Sequence, residues 1–167
     1  MATQKSFKII FTGETKVGKS SIISQYALGI FDPQILQSLT SQYITREIKL
    51  SDNSLVTVDI WDIAGDIKYR SLSKIFAKDA KAIILTYDIT DENTFKELKD
   101  FWYNTHKDFG AILFVVANKC DLENKKVKDE EGEEFAKSIG ASFFSVSAKD
   151  NIGISNLFEK IAEAIKH

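Results

Sequence analysis

Short apolar runs alternate with longer amphipathic stretches along the chain. Phe7 to Thr12, Ala82 to Tyr87 and Ile112 to Ala117 are nearly unbroken apolar runs, and Phe143 to Val146 is a shorter one. Runs of that length rich in β-branched and aromatic residues predict buried strands. Ile44 to Leu50 and Leu55 to Trp61 flank the turn sequence Asp52-Asn53-Ser54 and predict a hairpin. Lys19 to Leu28, Glu92 to His106 and Asp129 to Ser138 read as helices, the third with Asp129 as N-cap and Gly140 as stop. Ile154, Leu157, Phe158, Ile161 and Ile165 fall on one helical stripe near the end.

Apolar strands that alternate with helices predict a mostly parallel sheet covered on both faces, with the hairpin adding one antiparallel edge strand. Ligands of such sheets bind beyond the carboxyl ends of the strands. The 167 residues suit one domain, 1–167, with a core large enough to fold without disulfides. A formal charge of −2 argues against a nucleic-acid partner, since that binding rests on neutralising phosphates. Cys120 is the single cysteine, and no apolar run is long enough to span a bilayer. A cytoplasmic setting and a monomer are the expectations. Ala2 excludes N-myristoylation, and Lys166-His167 offers no cysteine for prenylation.

Gly13-Glu14-Thr15-Lys16-Val17-Gly18-Lys19-Ser20 has the spacing G-x-x-x-x-G-K-[ST] between a predicted strand and a predicted helix. Glycines let a backbone wrap closely around phosphates, and the helix N-terminus adds positive potential. Backbone and side-chain contacts to nucleotide are expected from Glu14, Thr15, Lys16, Val17, Gly18, Lys19, Ser20 and Ser21. Lys19 can reach the β- and γ-phosphates, and Ser20 can ligate Mg²⁺. The competing reading is a glycine-rich turn with a surface lysine. Lys16 reads either as a solvated lysine or as added charge near the nucleotide.

Asn118-Lys119-Cys120-Asp121 follows a strand and selects the base. Guanine presents two adjacent N–H donors, which one ionised carboxylate, Asp121, can accept together; adenine has no such pair. Asn118 can tie this loop to the phosphate loop, the Lys119 stem can cover the base, and Ser147-Ala148-Lys149 can offer a backbone N–H to guanine O6. Alone, each of these short matches would read as a solvated turn.

In this order the motifs resemble those of the small GTPases of the Ras superfamily, from about Phe7 to Ile165. The resemblance implies a P-loop NTPase fold, the G domain: an α/β, mostly parallel six-stranded sheet with one antiparallel edge strand and about five helices on both faces. Within the superfamily, Trp61-Asp62-Ile63-Ala64-Gly65, Lys68 to Leu72, Tyr87-Asp88-Ile89-Thr90 and Glu130 to Ala136 are most similar to the Rab branch. The resemblance implies that Phe31 stacks on guanine; a core or lid phenylalanine is the alternative. It implies that Asp62 holds Mg²⁺ through water and that the Gly65 N–H senses the γ-phosphate. Lys19, Gly65 and Asp66 would then stand at the reacting group.

Two positions depart from the family. Where a glutamine usually follows the glycine, this chain has Asp66. A glutamine amide both donates and accepts, so it can orient the attacking water, whereas an ionised aspartate only accepts and adds charge to an anionic transition state. The expected loss is about one to two powers of ten in rate, or about 1–3 kcal/mol, unless Asp66 points to solvent and water finds its place. The first switch normally carries a threonine on Mg²⁺; counting from Phe31 puts Ser38 there, with Leu39 and Thr40 as the alternatives in other registers. A serine lacks the methyl packing of threonine, which makes the ordered GTP state less stable.

The resemblance thus implies a GTP/GDP switch in vesicle-mediated transport, with slow GTP hydrolysis. Switch segments near Asp32 to Tyr43 and Gly65 to Phe76 would meet an exchange factor, a GTPase-activating protein and effectors. Membrane attachment would need a prenylated tail that this chain lacks. The alternative is a module that holds GTP or GDP without useful hydrolysis and serves as a recruitment surface. An ATP-dependent kinase of the same fold is a third reading, which Asp121 disfavours. Outside the motifs, Cys120 reads as a small residue near the ribose, His106 as a cap or surface residue, and Phe101 and Trp102 as helix packing.

Overall fold

The computed structural model describes residues 5–32 and 42–166. Strands β1 (Ser6–Thr12), β2 (Gln42–Lys49), β3 (Leu55–Asp62), β4 (Ala82–Asp88), β5 (Ile112–Asn118) and β6 (Ser142–Ser145) form one sheet in the order β2-β3-β1-β4-β5-β6. Only the edge strand β2 runs antiparallel, against β3; the other pairings are parallel. The hairpin turns as predicted: Asp52 Oδ1 accepts from the Ser54 N–H at 2.9 Å, and Asn53 takes a left-handed φ of 66°.

Alternating side chains of the central strands divide the core. Ile9 and Phe11 face one layer with Val116, and that layer holds α1 (Lys19–Leu28) and α5 (Ile154–Lys166) through Ile22, Leu157, Phe158 and Ile161. Ile10, Ile83, Leu85 and Val115 face the other, which holds α2 (Ser73–Ala77), α3 (residues 92–106) and α4 (Asp129–Ser138) through Ala77, Leu98, Trp102 and Ala136. Each fully buried side chain of this size stabilises by roughly 1.5–3 kcal/mol, so helices on both faces follow from strands apolar on both faces.

Helix α3 is composite: Glu92–Glu97, a π-helical stretch Leu98–Trp102, and Tyr103–His106. In the π stretch the Tyr103 N–H reaches back to Leu98 O, so residues beyond it present a different face than α-periodicity implies. This corrects His106, which is neither a cap nor exposed. It is buried, its ring lies parallel to that of Trp102, and its Nδ1–H donates to Trp102 O at 2.8 Å. Burial pushes its pKa below the ordinary histidine value.

The start of α4 is also corrected. Lys128, not Asp129, is the N-cap residue, because the Glu131 carboxylate reaches back to accept from the Lys128 N–H at 2.8 Å. Its end is as predicted. Gly140 has φ 71°, and the bonds Gly140 N–H to Lys137 O and Ala141 N–H to Ala136 O close a Schellman motif. The fifth helix, α2, follows a 3₁₀ turn (Ile67–Leu72) in a segment where periodicity predicts none.

Candidate nucleotide-binding site

The phosphate-loop sequence connects β1 to α1, as its spacing predicts. Gly18 caps α1 at φ 100° with no side-chain cap bond, so the first-turn N–H groups stay available. A side chain at Gly18 would collide with Asn118 Nδ2, which explains a glycine there on both conformational and steric grounds. Lys19 is only 3 % exposed, and its Nζ donates to the carbonyls of Gly13 at 2.9 Å and Glu14 at 2.7 Å. Burial lowers its pKa to about 8, while the negative charges of Asp62 and Glu14 act in the opposite direction. The Ser20 hydroxyl donates directly to the Asp62 carboxylate. That pair supplies hard oxygen donors beside the buried Lys19, a donor set that fits Mg²⁺ completed by phosphate oxygens and water.

Asn118, at the end of β5, joins three loops. Its Nδ2 donates to Val17 O at 2.9 Å, and its Oδ1 accepts from the Ala148 N–H at 3.3 Å. Gln25 on α1 donates to Ala148 O at 2.7 Å, and Ser147 Oγ donates to Asp121 Oδ1 at 2.7 Å. The structure therefore brings the Asn118–Asp121 and Ser147–Lys149 segments together against the phosphate loop. Lys119 does more than its stem suggests: its Nζ reaches Lys16 O at 2.9 Å and Asp88 Oδ2 at 2.7 Å. Gln25 has no motif to mark it. Asp88 is marked by the Tyr87-Asp88-Ile89-Thr90 likeness, though not as a site residue, and by its place at the end of β4 in register with Asn118.

Other candidates are placed less tightly. Lys16 and Lys149 are exposed, and Lys16 adopts a left-handed φ of 67°. Phe31 is half-buried and packs against the α1/α5 core. Cys120 is half-buried, with its thiol pKa pushed up chiefly by burial. Ser38, Leu39 and Thr40 lie outside the described residues.

The segment after β3 folds back on the phosphate loop. A side chain at Gly65 would strike Gly13 O, Thr15 N and Glu14 C, so only glycine allows this approach. Asp66 caps the 3₁₀ turn: its Oδ1 accepts from the Lys68 N–H at 2.8 Å. Tyr43, Trp61 and Phe76 form a row of ring contacts at 4.7 and 5.6 Å, and Ile67 and Ile75 of the same segment are exposed.

Residues 8–167 match the Ras family over nearly the whole chain. This chain belongs to the Ras family. Among relatives, it is 36% identical to the Ras-related protein Rab-21 of Bos taurus over 92% of this chain and 70% of that protein. Identity to the Homo sapiens Rab-21 is likewise 36%, over 92% of this chain and 69% of that one. For the Homo sapiens Ras-related protein Rab-3A it is 34%, over 95% and 73%. The six-stranded mixed sheet is that of a Ras-like P-loop domain, and the Rab branch is where the similarity lies. The kinase alternative has no support in these matches. No helix among the described residues is long and apolar enough to cross a membrane.

Proposed function

We propose that this Rab-like chain is a guanine-nucleotide switch that binds GTP and GDP with Mg²⁺ and hydrolyses GTP slowly, as a single G domain. The observation that carries this reading is Asn118, a buried side chain that bonds both the phosphate loop and the Ser147–Lys149 loop. Through it the phosphate-binding and base-selecting motifs become one cradle. Lys19 would exchange its two carbonyl partners for phosphate oxygens, which hold its positive charge far better. Asp121 would accept the guanine N–H pair while Ser147 holds its carboxylate in place. Ser20 and Asp62 would hold Mg²⁺, which supplies charge neutralisation at the phosphates.

Slow hydrolysis rests on Asp66. Its carboxylate caps the following turn, and it lacks the donor a glutamine offers to the attacking water. The same observation favours the second reading, a module that holds nucleotide and recruits partners with no useful hydrolysis.

Effectors would dock on the apolar row Tyr43, Trp61 and Phe76 between the switch segments, where Tyr43 is 58 % exposed. Exchange and activating factors, a role in vesicle transport, and peripheral attachment to an intracellular membrane are carried over from the Rab likeness. Equilibrium titration with GDP and ADP tests the binding claim. The switch reading requires GDP to bind at least about a hundredfold more tightly, the discrimination two charge-assisted bonds supply; equal affinity would end it.

A further inference from the structure

The Glu14 carboxylate lies at a junction that the nucleotide-binding role of its backbone does not require. It accepts from Arg70, in the 3₁₀ turn after Gly65, and from Trp102 Nε1 on α3 at 2.9 Å. Arg70 extends a second guanidinium nitrogen to Glu97 at 3.3 Å, and its guanidinium lies 4.6 Å from the Phe101 ring centre and 5.5 Å from that of Trp102. All three charged side chains are largely removed from solvent. Meanwhile the Glu14 main-chain carbonyl accepts from Lys19, the group that phosphates would claim. One residue thus touches the phosphate-binding lysine with its backbone and the second switch with its side chain.

We propose that Glu14 is a positioning residue that latches the second switch, through Arg70, to the phosphate loop and to α3, and so couples phosphate occupancy to the placement of that segment. The chemistry favours a latch over a surface ion pair. A planar guanidinium can bridge Glu14 and Glu97 while it stacks on Phe101, a set of contacts that lysine cannot reproduce. The π-helical stretch ends at Trp102, whose indole N–H provides the fixed anchor on α3. Seating Gly65 against the backbone of Gly13 and Thr15 then pins the segment at its start, and Arg70 pins it five residues on.

This inference rests on the switch reading for its functional consequence, but its structural part is independent of nucleotide. The test uses the full chain and the variants Glu14→Gln and Arg70→Lys, each checked by circular dichroism and thermal melting. Hydrogen exchange of amides 67–72 is followed first without nucleotide. Both variants should lose protection there by at least about fivefold, as expected when a charge-assisted contact of roughly 1 kcal/mol or more is removed. The double variant should lose no more than Arg70→Lys alone, because that change already breaks the Glu14 link together with the Glu97 contact. Unchanged exchange, or additive losses, would overturn the latch. GDP release is measured next. Faster release from both variants is the expected coupling; release at the wild-type rate from variants that have lost protection overturns the coupling. A chain that fails to bind GDP at all would sink the switch reading and, with it, the coupling, while the exchange data still decide the latch.

Discussion

Ser147 Oγ donates to Asp121 Oδ1 at 2.7 Å, so the last strand's loop holds the carboxylate that the base would meet. Ser147 Oγ in turn accepts from the Asp150 N–H at 3.0 Å, which fixes the hydroxyl's direction. Asp121→Ala should weaken GDP binding by about a hundredfold or more, the equivalent of two charge-assisted hydrogen bonds. Ser147→Ala, which removes one orienting bond, should cost roughly tenfold. ADP affinity should change in neither variant, and fluorescence titration with both nucleotides checks all of these outcomes.

Asn118 is almost completely buried, and both ends of its amide are satisfied. Asn118→Ala strands the Val17 carbonyl and the Ala148 N–H in the interior. The expected loss is about 2–3 kcal/mol, or about 5–10 °C in melting temperature for a domain of this size. Calorimetry of the nucleotide-free chain measures it, and GDP release should also quicken because three loops lose a common tie.

Lys19 gives the site a pH dependence. Its pKa in the folded chain, about 8, lies below its ordinary 10.5, so the unfolded chain holds this proton more tightly. The sign follows: Lys19 costs stability in full below about pH 8, and that cost falls away as pH rises toward 10.5. Nucleotide-free Lys19→Met should therefore melt higher than wild type at pH 7, with the gap narrowing above about pH 8. GDP binding at pH 8.5 should take up protons, since phosphate restores the charged lysine. Calorimetry in buffers of different ionisation enthalpy reads that uptake.

The Ser20–Asp62 contact predicts a metal dependence. Chelating Mg²⁺ should speed GDP release by roughly tenfold or more, through lost charge neutralisation at the phosphates. Ser20→Ala should release GDP at the chelated rate with or without Mg²⁺. Stopped-flow release in both conditions distinguishes these cases.

Most of the fold was legible because each central strand is apolar on both faces, as Phe7 to Thr12 is, and the last helix carries a stripe from Ile154 to Ile165. The phosphate and base motifs were legible because their chemistry needs fixed residue types at strand ends. What escaped depends on contacts distant in sequence. Nothing local marks Glu14 as the partner of Arg70 and Trp102, because the three sit on separate elements. The helix Ser73–Ala77 escaped because it is short and leaves Ile75 exposed, which blurs its apolar stripe. His106 escaped because a π-helical stretch resets the phase ahead of it. Asp66 stands out in the sequence, but its capping bond to Lys68 emerges only from the folded turn.

That capping bond sharpens the question of hydrolysis. Single-turnover hydrolysis of bound GTP with Mg²⁺, for wild type and Asp66→Gln side by side, tests the central claim most directly. Wild type should turn over slowly but measurably, and glutamine should raise the rate by about ten- to a hundredfold, or about 1–3 kcal/mol at the barrier. A wild-type rate that already equals or exceeds that of Asp66→Gln would contradict it and assign the attacking water to another group.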